Sequence, residues 1–124
     1  MVFAPVLFVS DVAASIAFYK KALSAVELRR WTNDDGSVHV AELSLEGTLF
    51  HIHEDSPPSR VNPQRLGSTG IELGVFAADP DAVMRQALLA GAKEANAMQD
   101  YEYGYRQGSF VDPFGHYWTV QKKI

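Results

Sequence analysis

The order of local patterns in the first half of the chain returns in the second, and this repeat restricts the fold more than any other feature. A short apolar run, "PVLFV" (5–9), ends at Ser10-Asp11. Behind that Asp N-cap, Val12, Ile16, Tyr19 and Leu23 recur at helical spacing. Three alternating runs follow, "AVELRRW" (25–31), "SVHVAELSL" (37–45) and "TLFHIHE" (48–54), separated by the turn sequences "NDDG" (33–36) and Glu46-Gly47. After "DSPPSRVNPQRLGS" (55–68), which has three prolines and no apolar period, "GIELGVF" (70–76) reads as a strand. Asp79-Pro80 then opens a helix through Val83, Leu88 and Leu89 that Gly91 closes. "KEANAM" (93–98), "YRQGSFVD" (105–112) and "HYWTVQK" (116–122) complete the copy. Each half is strand, helix, three strands. The expected class is α+β, a single domain over 1–124 with modules 1–54 and 70–124 joined by 55–69. Two copies of one such unit are expected to pack their sheets together around a shared groove.

A chain of 124 residues buries enough surface to fold without staples. It has no cysteine, which removes a thiol nucleophile, a thiolate metal site and a disulfide framework. Net charge is −4 with no cluster of Lys and Arg, so there is no footprint for nucleic acid, and the balance favours cationic over anionic ligands. Pro5 and Asp11 interrupt "MVFAPVLFV" and no Lys or Arg precedes it, so neither a signal peptide nor a membrane span is expected, and the location inferred is cytoplasmic. No Gly-x-Ser-x-Gly and no glycine-rich phosphate loop occurs.

Three stretches, "FVSDVAASIAFYKKAL" (8–23), "HVAELSLEGTLFHIHED" (39–55) and "YGYRQGSFVDPFGHYW" (103–118), carry a further reading. Together with the doubled strand-helix-three-strand unit they resemble the vicinal oxygen chelate superfamily of glyoxalases, bleomycin-resistance proteins and extradiol dioxygenases. Within it they are similar to the small bacterial glyoxalase-like branch. The resemblance implies two βαβββ modules forming a curved eight-stranded half-barrel with helices on the outer face. It also implies a homodimer made by pairing cups or exchanging modules. Metal-using members hold a divalent ion with four His, Glu or Gln side chains, one each from the first, fourth, fifth and eighth strands. Those positions fall here near Ala4, on His51 or His53, on Gly70 and on Thr119, so three of the four lack the required donor. The implied protein binds a small organic molecule with no cofactor at the usual site.

Strand alternation places Val6, Phe8, Glu42, His51, His53, Glu72, Tyr117 and Thr119 on the expected cup wall, with Trp31 and Arg106 at its rim. Glu42 and Glu72 are the candidate catalytic groups, as general base or cation anchor, against the plainer reading of two solvated strand residues. Phe8, Trp31, His51, His53, Arg106, Tyr117 and Thr119 are the candidate ligand contacts. Arg106 either holds an acidic group of the ligand or pairs with Asp100, Glu102 or Asp112. His51 and His53 project from one face of one strand, so with Glu42 or Glu72 they form the candidate displaced site for zinc, nickel, manganese or iron. His116 and Trp118 share the apolar face and are read as structural.

Three functions stay open from sequence. The leading one is metal-free sequestration of a small molecule, such as a cationic or aromatic antibiotic of the bleomycin kind. The second is a metal-dependent lyase, isomerase or dioxygenase of the same superfamily, and the third an accessory module whose role lies in a partner.

Overall fold

The computed structural model describes the whole chain, residues 1–124. β1 (Val6–Val9), α1 (Val12–Leu23), β2 (Val26–Thr32), β3 (Val38–Leu45) and β4 (Thr48–Glu54) make the first unit. β5 (Glu72–Phe76), α3 (Pro80–Leu89), β6 (Lys93–Tyr101), β7 (Tyr105–Val111) and β8 (Tyr117–Lys123) make the second. A single-turn α2 (Pro63–Leu66) lies between them, inside the stretch expected to be irregular. The eight strands divide into two curved, open sheets, ordered β1-β4-β3-β2 and β5-β8-β7-β6. In each the first strand pairs in parallel with the last, and the remaining pairs are antiparallel.

The local signals work as their chemistry dictates. Asp11 accepts the Ala14 N–H at 3.0 Å and Asp79 accepts the Ala82 N–H at 3.1 Å, each satisfying an orphan donor at a helix start. Between β3 and β4, Glu46 and Gly47 both have positive φ (48° and 89°), which a two-residue hairpin needs to match the twist of its strands.

Each helix covers the convex face of its own sheet: α1 packs on β3 and β4, and α3 on β7 and β8. The helices also pack on each other. One continuous core therefore fills the space between the sheets, including Ile16 and Tyr19 of α1, Ile52 of β4, Met84 of α3 and Trp118 of β8. Ring contacts cross it, Tyr19 to Trp118 at 5.6 Å and Phe50 to Trp118 at 6.3 Å between centroids. The shared groove expected between the two halves of one chain is thus occupied by side chains. The two concave faces look away from each other.

Asp112, buried in the turn before β8, ties the halves together. Its Oδ1 accepts the N–H groups of Phe114 and His116, each at 2.9 Å. Its Oδ2 accepts the Tyr19 hydroxyl at 2.5 Å and the Trp118 indole N–H at 2.9 Å. His116, only 5% exposed, stands one residue before β8 with Nε2 2.9 Å from the carbonyl oxygen of Phe8. A carbonyl only accepts, so Nε2 carries the proton and the ring serves as a strut between β1 and the last turn. No helix is long and apolar enough to cross a membrane.

Candidate functional site

Pairing register assembles the concave face of the first sheet row by row. Val6 neighbours His51, His51 neighbours Glu42, and Glu42 neighbours Arg29; one row along come Phe8, His53, Val40 and Trp31. Neighbours across a sheet are close enough for their side chains to touch. His51 Nε2 lies 3.5 Å from Glu42 Oε1, a loose contact that leaves both groups able to meet a ligand. The Phe8 and His53 rings are 5.7 Å apart and tilted. His53 turns its Nδ1 to the backbone carbonyl of Glu54 at 2.6 Å, and the His39 ring stands edge-on to it at 4.6 Å. Arg29 lies over the Trp31 ring, 3.9 Å from its centroid.

A hollow of about 330 Å³ opens on this face, lined by Val6, Phe8, Val40, His51, His53 and Arg60. Arg60 comes from the linker. Its N–H and C=O exchange hydrogen bonds with Ser56 at 3.3 and 2.7 Å, closing a tight loop at the hollow's edge.

The concave face of the second sheet is polar. Asn96 Nδ2 donates to Ser109 Oγ at 2.7 Å and to the Tyr117 hydroxyl at 2.8 Å, and Gln107 Nε2 donates to Gln121 Oε1 at 2.7 Å. The Thr119 hydroxyl, on the same face, is buried with no hydrogen-bond partner. Glu72 is exposed at the β5 edge.

Of the candidates from sequence, Phe8, Trp31, Glu42, His51 and His53 come together on the first sheet. Glu72, Tyr117 and Thr119 share the concave face of the second and cannot join them within one chain. Arg106 reaches neither face. It sits on the helix side of β7 with Gly108 and Phe110, where Asp81 of α3 takes its Nε and Nη2 at 2.7 and 2.8 Å and Asp100 takes Nη1 at 3.0 Å. The Asp81 bonds, then those of Asp100, hold the Arg106 proton more tightly than usual, and Arg106 in turn pulls the Asp81 carboxyl below the ordinary range. The rim role for Arg106 therefore gives way to a clasp between α3 and the second sheet. Sequence reasoning passed over Arg60 and Arg29. Arg29 could have been found, since it shares strand parity with Trp31.

The donors present do not fit a divalent ion. Nowhere do three or more His, Asp or Glu side chains gather closely enough to hold one. His51 and Glu42 supply two ligands, His53 holds the Glu54 carbonyl through Nδ1 and keeps Nε2 free, yet no third donor gathers with them, and Glu72 belongs to the other sheet. Within one chain the displaced set of His51, His53 and a glutamate is not assembled, and no step is derived through a metal.

Two linked βαβββ units, each with a helix on its convex face and an open concave wall, define a class of small cup-forming domains that serve both binding and catalysis. The chain belongs to the Glyoxalase/Bleomycin resistance protein/Dioxygenase superfamily, whose sequence profile matches residues 3–120. An uncharacterized Mycobacterium bovis protein, Mb0911c, is 36% identical over 97% of this chain and 82% of its own length. The X-ray structure of an Arabidopsis thaliana gene product, AT5G48480, superposes with a TM-score of 0.80 at 26% identity over 98% of both chains. A bleomycin-binding protein complexed with bleomycin superposes with a TM-score of 0.70 at 16% identity, again over 98% of both chains, a likeness of fold alone.

Proposed function

We propose that the chain is a metal-independent binding member of this superfamily, which holds a small organic molecule against the concave face of its first sheet and does not convert it. The observation that carries this is the 330 Å³ hollow with an apolar floor of Val6, Phe8 and Val40 and a few polar groups at its edge. That make-up is usual for small-molecule sites, where apolar walls supply affinity and sparse polar groups fix orientation. Glu42 and His51 stand 3.5 Å apart without a hydrogen bond between them, so each has hydrogen-bonding capacity to offer the ligand.

A homodimer is part of the reading. One chain leaves each concave wall open, with apolar Val6, Trp31 and Phe76 exposed. A second copy laying its second sheet over the first would close the cup and bring the Asn96, Ser109 and Tyr117 hydroxyl and amide groups to face the hollow. The bleomycin complex of a protein with this fold makes bleomycin the first ligand to try.

The test uses protein purified without a histidine tag. Metals are quantified by mass spectrometry, and melting is followed during titration with zinc, nickel, manganese, iron and bleomycin. Trp31 is 37% exposed beside the hollow and Trp118 is buried, so a ligand seated there quenches the emission of Trp31. A ligand at about 100 times its Kd stabilises by roughly 2.7 kcal/mol, an easily read shift. A stoichiometric ion that raises the melting point and is lost in His51→Ala would overturn the proposal.

A further inference from the structure

We infer that the ligand of this face is a flat organic acid, its anionic group met by Arg60 with Arg29 as a second cation at the far rim. The inference rests on the small-molecule reading above and adds the sign of the ligand's charge. Overall charge, −4, points the other way, toward a cation. The local census differs because most carboxylates near the hollow are already engaged. Glu54 takes His39 Nδ1 at 2.7 Å and Asn33 Nδ2 at 3.2 Å. Asp55 takes Asn62 Nδ2 at 2.6 Å and meets Arg65 at 3.8 Å. On β2, Glu27 is held by Arg30 and Lys20 on the other side of the sheet.

The two guanidiniums have no such partner. Arg29 and Arg60 have no carboxylate within 4.0 Å, nor has Arg85, exposed on α3 outside the hollow, whereas Arg30, Arg65 and Arg106 each do. Arg29 faces Glu42 across the β2–β3 ladder, yet it stacks on Trp31, so Glu42, 3.5 Å from His51, is the one carboxylate of this wall without a hydrogen bond. An arginine is permanently charged, and its planar fork matches a carboxylate bidentately. Between the two cations run Phe8, Val40 and Trp31, a wall suited to the ring of a planar molecule. The Ser56–Arg60 loop closure fixes the backbone that presents Arg60, which lowers the entropy lost on binding.

The test compares three probes of one shape by titration calorimetry: 2-naphthoate, neutral 2-naphthamide and the 2-naphthylmethylammonium cation. 2-Naphthoate is expected to bind about tenfold or more tighter than the amide. That preference should vanish in Arg60→Gln, weaken in Arg29→Gln, and persist in Arg30→Gln, whose partner Glu27 lies on the opposite face. Melting curves confirm that the variants fold. Equal binding of all three probes, tighter binding of the ammonium, or a preference for 2-naphthoate that survives the Arg29→Gln, Arg60→Gln double variant, overturns this inference and leaves the small-molecule reading standing. Failure of every probe to bind overturns this inference, and the small-molecule reading falls with it if bleomycin also leaves Trp31 emission and melting unchanged.

Discussion

Replacing Asp112 by alanine removes the acceptor on which four donors from both halves of the chain converge. The Tyr19 hydroxyl and the Trp118 indole N–H lose their only partner, as does one main-chain N–H each at Phe114 and His116. An unmade buried hydrogen bond costs about 1–3 kcal/mol, less where water can enter. The two side-chain donors lie in the core, and the two main-chain donors line a turn that water can reach once the carboxylate is gone. The total comes to about 5 kcal/mol, a large fraction of the 5–15 kcal/mol that holds a typical domain together. In a chain of this length that corresponds to a fall in melting temperature of roughly 15–20 °C. Asp112→Asn separates acceptor count from volume. Its amide oxygen still serves the two main-chain N–H groups and its NH₂ can donate to the Tyr19 oxygen, which leaves the Tyr19 O–H and the Trp118 N–H without their acceptor. The expected cost is about 2 kcal/mol. Urea unfolding followed by tryptophan emission and by circular dichroism measures both. If Asp112→Ala falls within about 1 kcal/mol of the parent, or Asp112→Asn costs as much as alanine, the reasoning fails.

Burial first, and then Asp112, raises the Tyr19 pKa well above its ordinary value of 10.0, so the folded state requires a neutral phenol. Its contribution is full below about pH 10, where the unfolded chain titrates, and is lost above it at up to about 1.4 kcal/mol per pH unit; urea midpoints in Tyr19→Phe should lack that alkaline slope. Arg30's hydrogen bond leads in lowering the Glu27 carboxyl from 4.5 to about 2, so its stabilisation is present above 4.5 and lost as pH falls toward 2. Glu27→Gln should flatten that part of the acid unfolding curve, and an unchanged curve would refute the assignment. A Cβ on Gly108 would stand 2.5 Å from Met98 Sδ and 3.1 Å from the Asn96 carbonyl oxygen, so Gly108→Ala should cost about 1–3 kcal/mol in chemical denaturation through overpacking. Arg106→Gln should lower the melting temperature slightly and leave probe binding unchanged, because its partners are Asp81 and Asp100 and no ligand contact is involved; weaker binding of 2-naphthoate would show otherwise.

The order of strands and helices was legible because each element carries its own local chemistry: an Asp cap with a 3.6-residue apolar period, or alternation closed by a turn such as Glu46-Gly47. Period-two parity also put Glu42, His51 and His53 together on the concave side of their strands, and Tyr117 and Thr119 on the concave side of theirs, all read as one wall. Parity says nothing about which way two sheets face, and that depends on long-range packing of Tyr19, Phe50 and Trp118, which no window of sequence contains. Hence eight residues read as one wall divide between two. Arg106 was misplaced although its signal was available, since Gly108 and Phe110 on the same parity mark a face that packs on a helix. α2 escaped notice because four residues are too few to show a period, and only Asn62-Pro63, an N-cap followed by proline, announces it. Arg60 lies in a loop where parity has no meaning.

The source of positive charge at the hollow gives the two readings of the superfamily opposite signatures, even before the natural ligand is known. A divalent ion attracts an acidic ligand strongly, is stripped by chelators, and loses its hold as its imidazole and carboxylate ligands take up protons. Guanidiniums on an open face keep their charge across the accessible pH range and answer to ionic strength instead, because solvent-exposed charges are screened within about 8 Å at 0.15 M salt. On the proposed reading, 2-naphthoate affinity should be indifferent to EDTA, fall severalfold between low salt and about 0.5 M, and lose that salt dependence in Arg60→Gln. Binding that EDTA abolishes and salt barely touches would mean that an ion, and not Arg60, meets the acid.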